Sequence, residues 1–164
     1  MALYTLVHVV ISLIGLITGL VVLGGLLSNK RLDGWTGLFL LTTIVTNVTG
    51  YGFPVDRVLP SHIVGAISLV ALGIAVFARY RHQLAGGWRK TYVITAVLSL
   101  YLNVFVLIVQ TFQKVPALRE LAPTQSEAPF AISQLIILVM FAVLGYSAVV
   151  SFRESPAAPA RQFA

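Results

Sequence analysis

Two histidines, His8 and His62, are the residues of this sequence best suited to chemistry inside an apolar environment. Each stands at the edge of a long apolar run: "LYTLVHVVISL" around the first and "LPSHIVGAISLV" around the second. A pair of neutral imidazoles from different helices can grip the iron of a b-type haem from opposite faces. The same pair, joined by Gln110 and Gln134, could hold the polar head of a quinone or another small ligand. In the simplest reading, each ring satisfies only a backbone carbonyl, a threonine or water. A catalytic zinc is disfavoured, because such a site usually takes three protein ligands. The count of Cys 0 also removes thiolate metal sites, cysteine nucleophiles and disulfides.

Further uncharged polar residues are patterned. Tyr92, Ser99, Asn103, Gln110 and Gln113 recur by steps of three, four or seven, which places them on one helical face. Thr42, Thr46 and Thr49 form a second stripe, beside Thr43, Asn47 and Gly50. Asn47, Asn103, Gln110 and Gln134 are therefore candidates for a polar pocket, against the simpler alternative of hydrogen bonds between helices. All five acids (Asp33, Asp56, Glu120, Glu127 and Glu154) and all the basic residues fall outside the middle of the apolar runs. Intramembrane charges usually mark proton relays and ion pathways. Their absence argues against a proton-coupled transporter, and it leaves no acid/base pair for intramembrane hydrolysis.

The elements that must position these residues follow from composition. Of 164 residues, 58% are hydrophobic and only 10% are charged, and the mean hydropathy is +0.93. Soluble domains carry about a quarter charged residues, so this surface is suited to lipid. Five apolar runs are long enough to cross a bilayer as helices, at about 3–27, 35–53, 61–80, 91–112 and 131–150. The expected fold is all-α: one five-helix transmembrane domain over residues 1–152, followed by a flexible cytoplasmic tail, 153–164. The first run lacks a basic start and is too long for a cleaved signal peptide.

Basic residues orient the bundle. One set of loops carries Lys30, Arg31, Arg79, Arg81, Arg89, Lys90, Arg153 and Arg161, and the other carries Arg57, Lys114 and Arg119. The richer set faces the cytoplasm by the positive-inside rule, which puts the N-terminus outside and the C-terminus inside. The net charge of +6 then lies against anionic lipid and calls for no nucleic acid. His8 comes to lie roughly 7 Å deep from the outer side and His62 roughly 2–6 Å, so a shared site is geometrically open. His8, Ser12, Gly15 and Gly19 share one face, and Gly65, Ala66 and Gly73 are expected to extend the face of His62. His82 belongs to the basic cytoplasmic loop.

The loop 113–130 is expected to hold a short amphipathic helix carrying Val115, Leu118 and Ala122 on one side. It then reads "TQSE", with Thr124 or Ser126 as a helix cap, and it could act as a lid. None of these motifs identifies a known family on its own. Together they suggest a small multi-pass protein of a bacterial cytoplasmic (inner) membrane with a histidine-bearing polar pocket near its outer face. Such a protein would be a cofactor-binding (haem b or quinone) or accessory subunit, associated with other membrane subunits or forming a homo-oligomer. The alternatives are a transporter or channel for an uncharged solute and, third, an intramembrane redox enzyme. The charge asymmetry makes a direct prediction. Reporter fusions near Asp56 and Thr124 should read as outside, and fusions near Arg81 and in the tail as inside. An externally exposed C-terminus would overturn the orientation.

Overall fold

The computed structural model describes residues 2–54 and 60–153. Asp56, Arg57 and residues 154–164 of the expected tail lie outside that range. Six α-helices are present among the described residues: α1 (Ala2–Leu27), α2 (Asp33–Gly50), α3 (Pro60–Val76), α4 (Gly87–Lys114), α5 (Pro116–Leu121) and α6 (Ala128–Ser151). A π-helical turn, Phe77–Arg81, continues α3. Four of these segments are long and apolar enough to cross a membrane: α1, α3 with its π turn, α4 and α6. The remaining long helix, α2, matches the second expected run in position but is less apolar, because Asp33, five threonines and Asn47 interrupt it.

α1 and α2 form an antiparallel hairpin. Leu27 is followed by Asn29 in the left-handed region (φ 53°), with Lys30 N–H on the Gly25 carbonyl (2.8 Å) and Asn29 N–H on that of Leu26 (3.3 Å). This is a Schellman ending, and asparagine is one of the few residues that adopt that conformation easily. The register that follows pairs His8 with Thr49, Gly15 with Thr42 and Thr43, and Gly19 with Phe39. Lipid offers no hydrophobic drive to push helices together, so close backbone approach over small residues supplies the packing. A Cβ on Gly19 would stand 2.8 Å from the Phe39 ring and collide with Leu100 of α4.

α4 is the central helix. It buries Tyr92, Val93, Ala96, Val97, Ser99 and Leu100 and packs against α1, α3 and α6. α6 closes against it through Phe141, whose ring lies 5.8 Å from that of Tyr101, and turns Ile132, Leu135, Ile136, Val139 and Val143 outward.

Three expectations need correction. The buried face of α3 is not the Gly65, Ala66, Gly73 stripe: Gly65 is buried, but Ala66 and Gly73 are exposed. Ser68, Leu72, Ala75 and Arg79 continue it instead, at steps of three and four. Arg79, counted above among the loop cations, lies in the π-helical turn and is itself buried with 3% of its side chain exposed. His82 is not simply solvated, since its ring stacks on Trp88 with centroids 4.1 Å apart. The turn after it holds Gln83 and Leu84 at φ 50° and 63°, which brings Leu84 into the core.

The glycine contacts give a stability prediction. Gly19→Ala should cost about 1–3 kcal/mol through overpacking against an aromatic ring. Gly24 and Gly73 face open space, so alanine there should be neutral or stabilising by about 0.5–1 kcal/mol. Unfolding in detergent measures both, and equal effects at the three positions would contradict the close α1–α2–α4 contact.

Candidate functional site at the His8 end of the bundle

The C-terminal turn of α2, with Tyr51 and Phe53 just beyond it, is where the two histidines are found. His8, half-buried on α1, places Nδ1 2.8 Å from Thr49 Oγ1. That hydroxyl has one proton and lies 2.7 Å from the Val45 carbonyl one turn back, to which it donates. With the hydroxyl proton assigned to that carbonyl, Thr49 accepts from the imidazole, an arrangement in which Nδ1 carries the ring proton and Nε2 keeps its lone pair. Phe53 meets the ring edge-on at 5.1 Å. Tyr4 donates to the Thr49 carbonyl at 2.6 Å and stands edge-on to Phe53.

His62 occupies a different set of contacts. It stacks on the Tyr51 ring (5.3 Å, 19°), and Tyr51 Oη donates to the His62 carbonyl at 2.7 Å. The two imidazoles therefore flank the same turn of α2 on separate partners. The small residues along the first helix are filled by its neighbour: a Cβ on Gly15 would lie 3.1 Å from Thr43 Oγ1.

The four amides do not share one place. Asn47 donates to the Thr43 carbonyl (2.8 Å) and to Ser68 Oγ of α3 (3.2 Å), while Asn103 of α4 donates to Thr43 Oγ1 (3.4 Å). Asn47 and Asn103 thus meet through Thr43 and tie α2, α3 and α4 together. Gln134 lies on the seam between α4 and α6 instead, donating to the Phe105 carbonyl at 3.3 Å, with its own Oε1 buried and unpaired. Gln110 is half-buried two turns beyond Asn103.

Beyond α4 the chain folds into α5, which buries none of its residues. A cleft of about 410 Å³ opens at this elbow, lined by Gln113, Lys114, Pro116, Arg119, Glu120 and Pro123. The Thr124–Glu127 turn is organised by the glutamate, not by a serine or threonine cap. Glu127 Oε1 accepts from Thr124 N–H (3.2 Å) and Thr124 Oγ1 (2.9 Å), and Oε2 accepts from Ser126 N–H (3.1 Å). Glu127 itself is the N-cap residue of α6.

Sequence reasoning missed a second polar cluster, at the opposite end of the bundle. Arg79 binds Asp33 Oδ1, and its guanidinium lies over the rings of Tyr92 (5.3 Å) and Tyr80 (5.9 Å). The Ser68, Leu72, Ala75, Arg79 spacing was the available signal. No family model matches the chain, and no curated protein or solved structure matches it.

The Glu127 turn predicts a pH dependence. Desolvation pushes its carboxyl up, but the Thr124 hydroxyl and the backbone N–H groups outweigh that and hold it below the ordinary 4.5. A carboxylate whose folded value is depressed stabilises the fold above its unfolded value and loses that contribution as pH falls through the folded one. Stability should therefore decline on acidification below about pH 4.5, and Glu127→Gln should flatten that part of the profile. An unchanged profile in the variant would remove the turn from the account.

Proposed function

We propose that the chain is a five-span protein of the bacterial cytoplasmic membrane, with its N-terminus outside. In this reading α2 is the fifth span, packed against α1 and α3 with Leu38, Leu41 and Val48 facing outward. The protein serves as a non-enzymatic cofactor-binding or accessory subunit of a membrane complex, and its ligand is the polar head of a quinone-type molecule at the outer end. The observation that carries this reading is the His8–Thr49–Val45 hydrogen-bond chain. With the Thr49 proton directed to the Val45 carbonyl, Nε2 of the imidazole is unprotonated and accepts a hydrogen bond from a quinol hydroxyl.

The same tautomer would suit a haem ligand, since ligating histidines usually donate through their other nitrogen. The direct packing of Gly15 on α2 and the stacking of His62 on Tyr51 favour the smaller quinone head over a macrocycle gripped by both rings.

The test is solvent extraction and an absorption spectrum of protein purified in mild detergent. A co-purifying quinone is expected, and its retention should fall about tenfold in His8→Ala, as loss of a bond worth about 1–1.5 kcal/mol implies, with a smaller fall in His62→Ala. A haem Soret band abolished by either substitution would replace quinone with haem. Absence of both ligands, together with solute flux in liposomes, would overturn the subunit reading in favour of a transporter.

A further inference from the structure

The Arg79 cluster lies at the end of the bundle opposite His8, where α1, α3 and α6 finish and α2 and α4 begin. Arg153 N–H on Asn29 Oδ1 (2.9 Å) joins the end of α6 to the α1–α2 turn there. Two guanidiniums converge on one point. Arg31 Nε lies 3.0 Å from Asp33 Oδ1, and Arg79 Nη2 binds that same oxygen. Asp33 opens α2, so its carboxylate also sits at the positive end of that helix, and Leu32 before it offers no side-chain cap.

The burial of the partners is unequal. Arg79 is buried at 3% exposure, whereas the Asp33 side chain is 68% exposed and that of Arg31 51%. An exposed carboxylate thus serves as counter-ion to a buried guanidinium, and one negative charge faces two positive ones. The Tyr92 side chain is fully buried in the same place, with the Arg79 guanidinium 5.3 Å from its ring.

We propose that Arg31, Arg79 and the start of α2 form an oxyanion cradle for a phosphate group, in which the Asp33 carboxylate is a tethered, exchangeable occupant. Asp33 Oδ1 marks where a phosphate oxygen sits. Because Asp33 hangs on the exposed side, it can swing outward and admit a phosphate without unpacking α3. The incoming group restores a counter-ion to Arg79 and brings a second oxygen within reach of Arg31, a two-guanidinium arrangement that suits phosphate geometry. The phosphate can come from an anionic lipid headgroup or from free phosphate. In the orientation proposed above, the lipid source is the cytoplasmic leaflet. The cradle itself does not depend on that orientation, so its test in detergent is independent of the reporter fusions and of the quinone assay.

The experiment uses the full chain in mixed micelles. Binding of phosphatidylglycerol, with phosphatidylcholine as reference, is measured by native mass spectrometry, and thermal stability is followed with inorganic phosphate against chloride at equal ionic strength. Asp33→Asn removes the tethered competitor, so its affinity for the anionic lipid should rise about fivefold or more. Arg31→Gln, an exposed change, should lower it by a similar factor. Lys90→Gln removes one charge from the same end outside the cradle and should have little effect. The same pattern with inorganic phosphate would assign the cradle to the soluble anion, and its restriction to phosphatidylglycerol would assign it to lipid. If Arg31→Gln and Lys90→Gln weaken binding equally, or if Asp33→Asn gains nothing, the attraction is diffuse surface charge and the cradle is refuted. Because Arg79 variants risk misfolding, the exposed Arg31 and Asp33 carry the test.

Discussion

The polar face of the least apolar long helix dictates how the others are arranged. α2 carries Thr36, Thr42, Thr43, Thr46, Asn47 and Thr49 along 18 residues. In hydrocarbon, a polar group without a partner costs several kcal/mol. Most of these side chains therefore bond to their own helix or reach a neighbour, whereas the Thr46 hydroxyl is buried without a hydrogen-bond partner. Thr42 and Thr49 return to carbonyls one turn back, while Thr43 and Asn47 reach Asn103 and Ser68. α1 covers α2 from one side, with Gly15 and Gly19 allowing close approach, and α3 and α4 provide the polar partners on the other. The more apolar α6 needs no such enclosure and leaves most of its surface to lipid.

The same demand shapes both ends of the bundle, with different outcomes. Beside His8 the hydrogen-bonding groups are neutral, and directing the Thr49 proton to the Val45 carbonyl leaves the His8 Nε2 lone pair uncommitted. At the other end the group is a permanent cation. A guanidinium cannot discharge by losing its proton, so Arg79 must keep a counter-ion and aromatic faces around it, and Asp33, Tyr80 and Tyr92 provide them. Between the two ends, Phe39, Leu72 and Leu100 are almost completely buried and form a dry layer. One end therefore offers an acceptor nitrogen, the other convergent donors, and the layer between them separates the two chemistries.

Local backbone detail supports this division. The π-helical turn at Phe77–Arg81 and the left-handed residues Gln83 and Leu84 are unfavourable geometries for ordinary side chains. They carry Leu84 into the core and accompany the burial of Arg79. At the opposite end, the turn before α6 is held by Glu127, whose two oxygens gather three donors.

By itself the sequence determined the helical character of the chain, the approximate limits of its long apolar runs, the inward-facing His8, Ser12, Gly15, Gly19 stripe and the short helix after α4. These depend on local periodicity and composition, which need no knowledge of neighbours. Tertiary structure decided what each polar residue is bonded to. Asn47 and Asn103 meet through Thr43, whereas Gln134 lies on another seam, because the rotation of each helix is set by packing and not by its own pattern. The fate of Arg79 was likewise beyond a count of loop charges. Its spacing from Ser68, Leu72 and Ala75 pointed inward, but only the approach of Asp33 from α2 and of Tyr92 from α4 makes a buried guanidinium tolerable there, and those contacts join residues 46 and 13 positions apart in the chain.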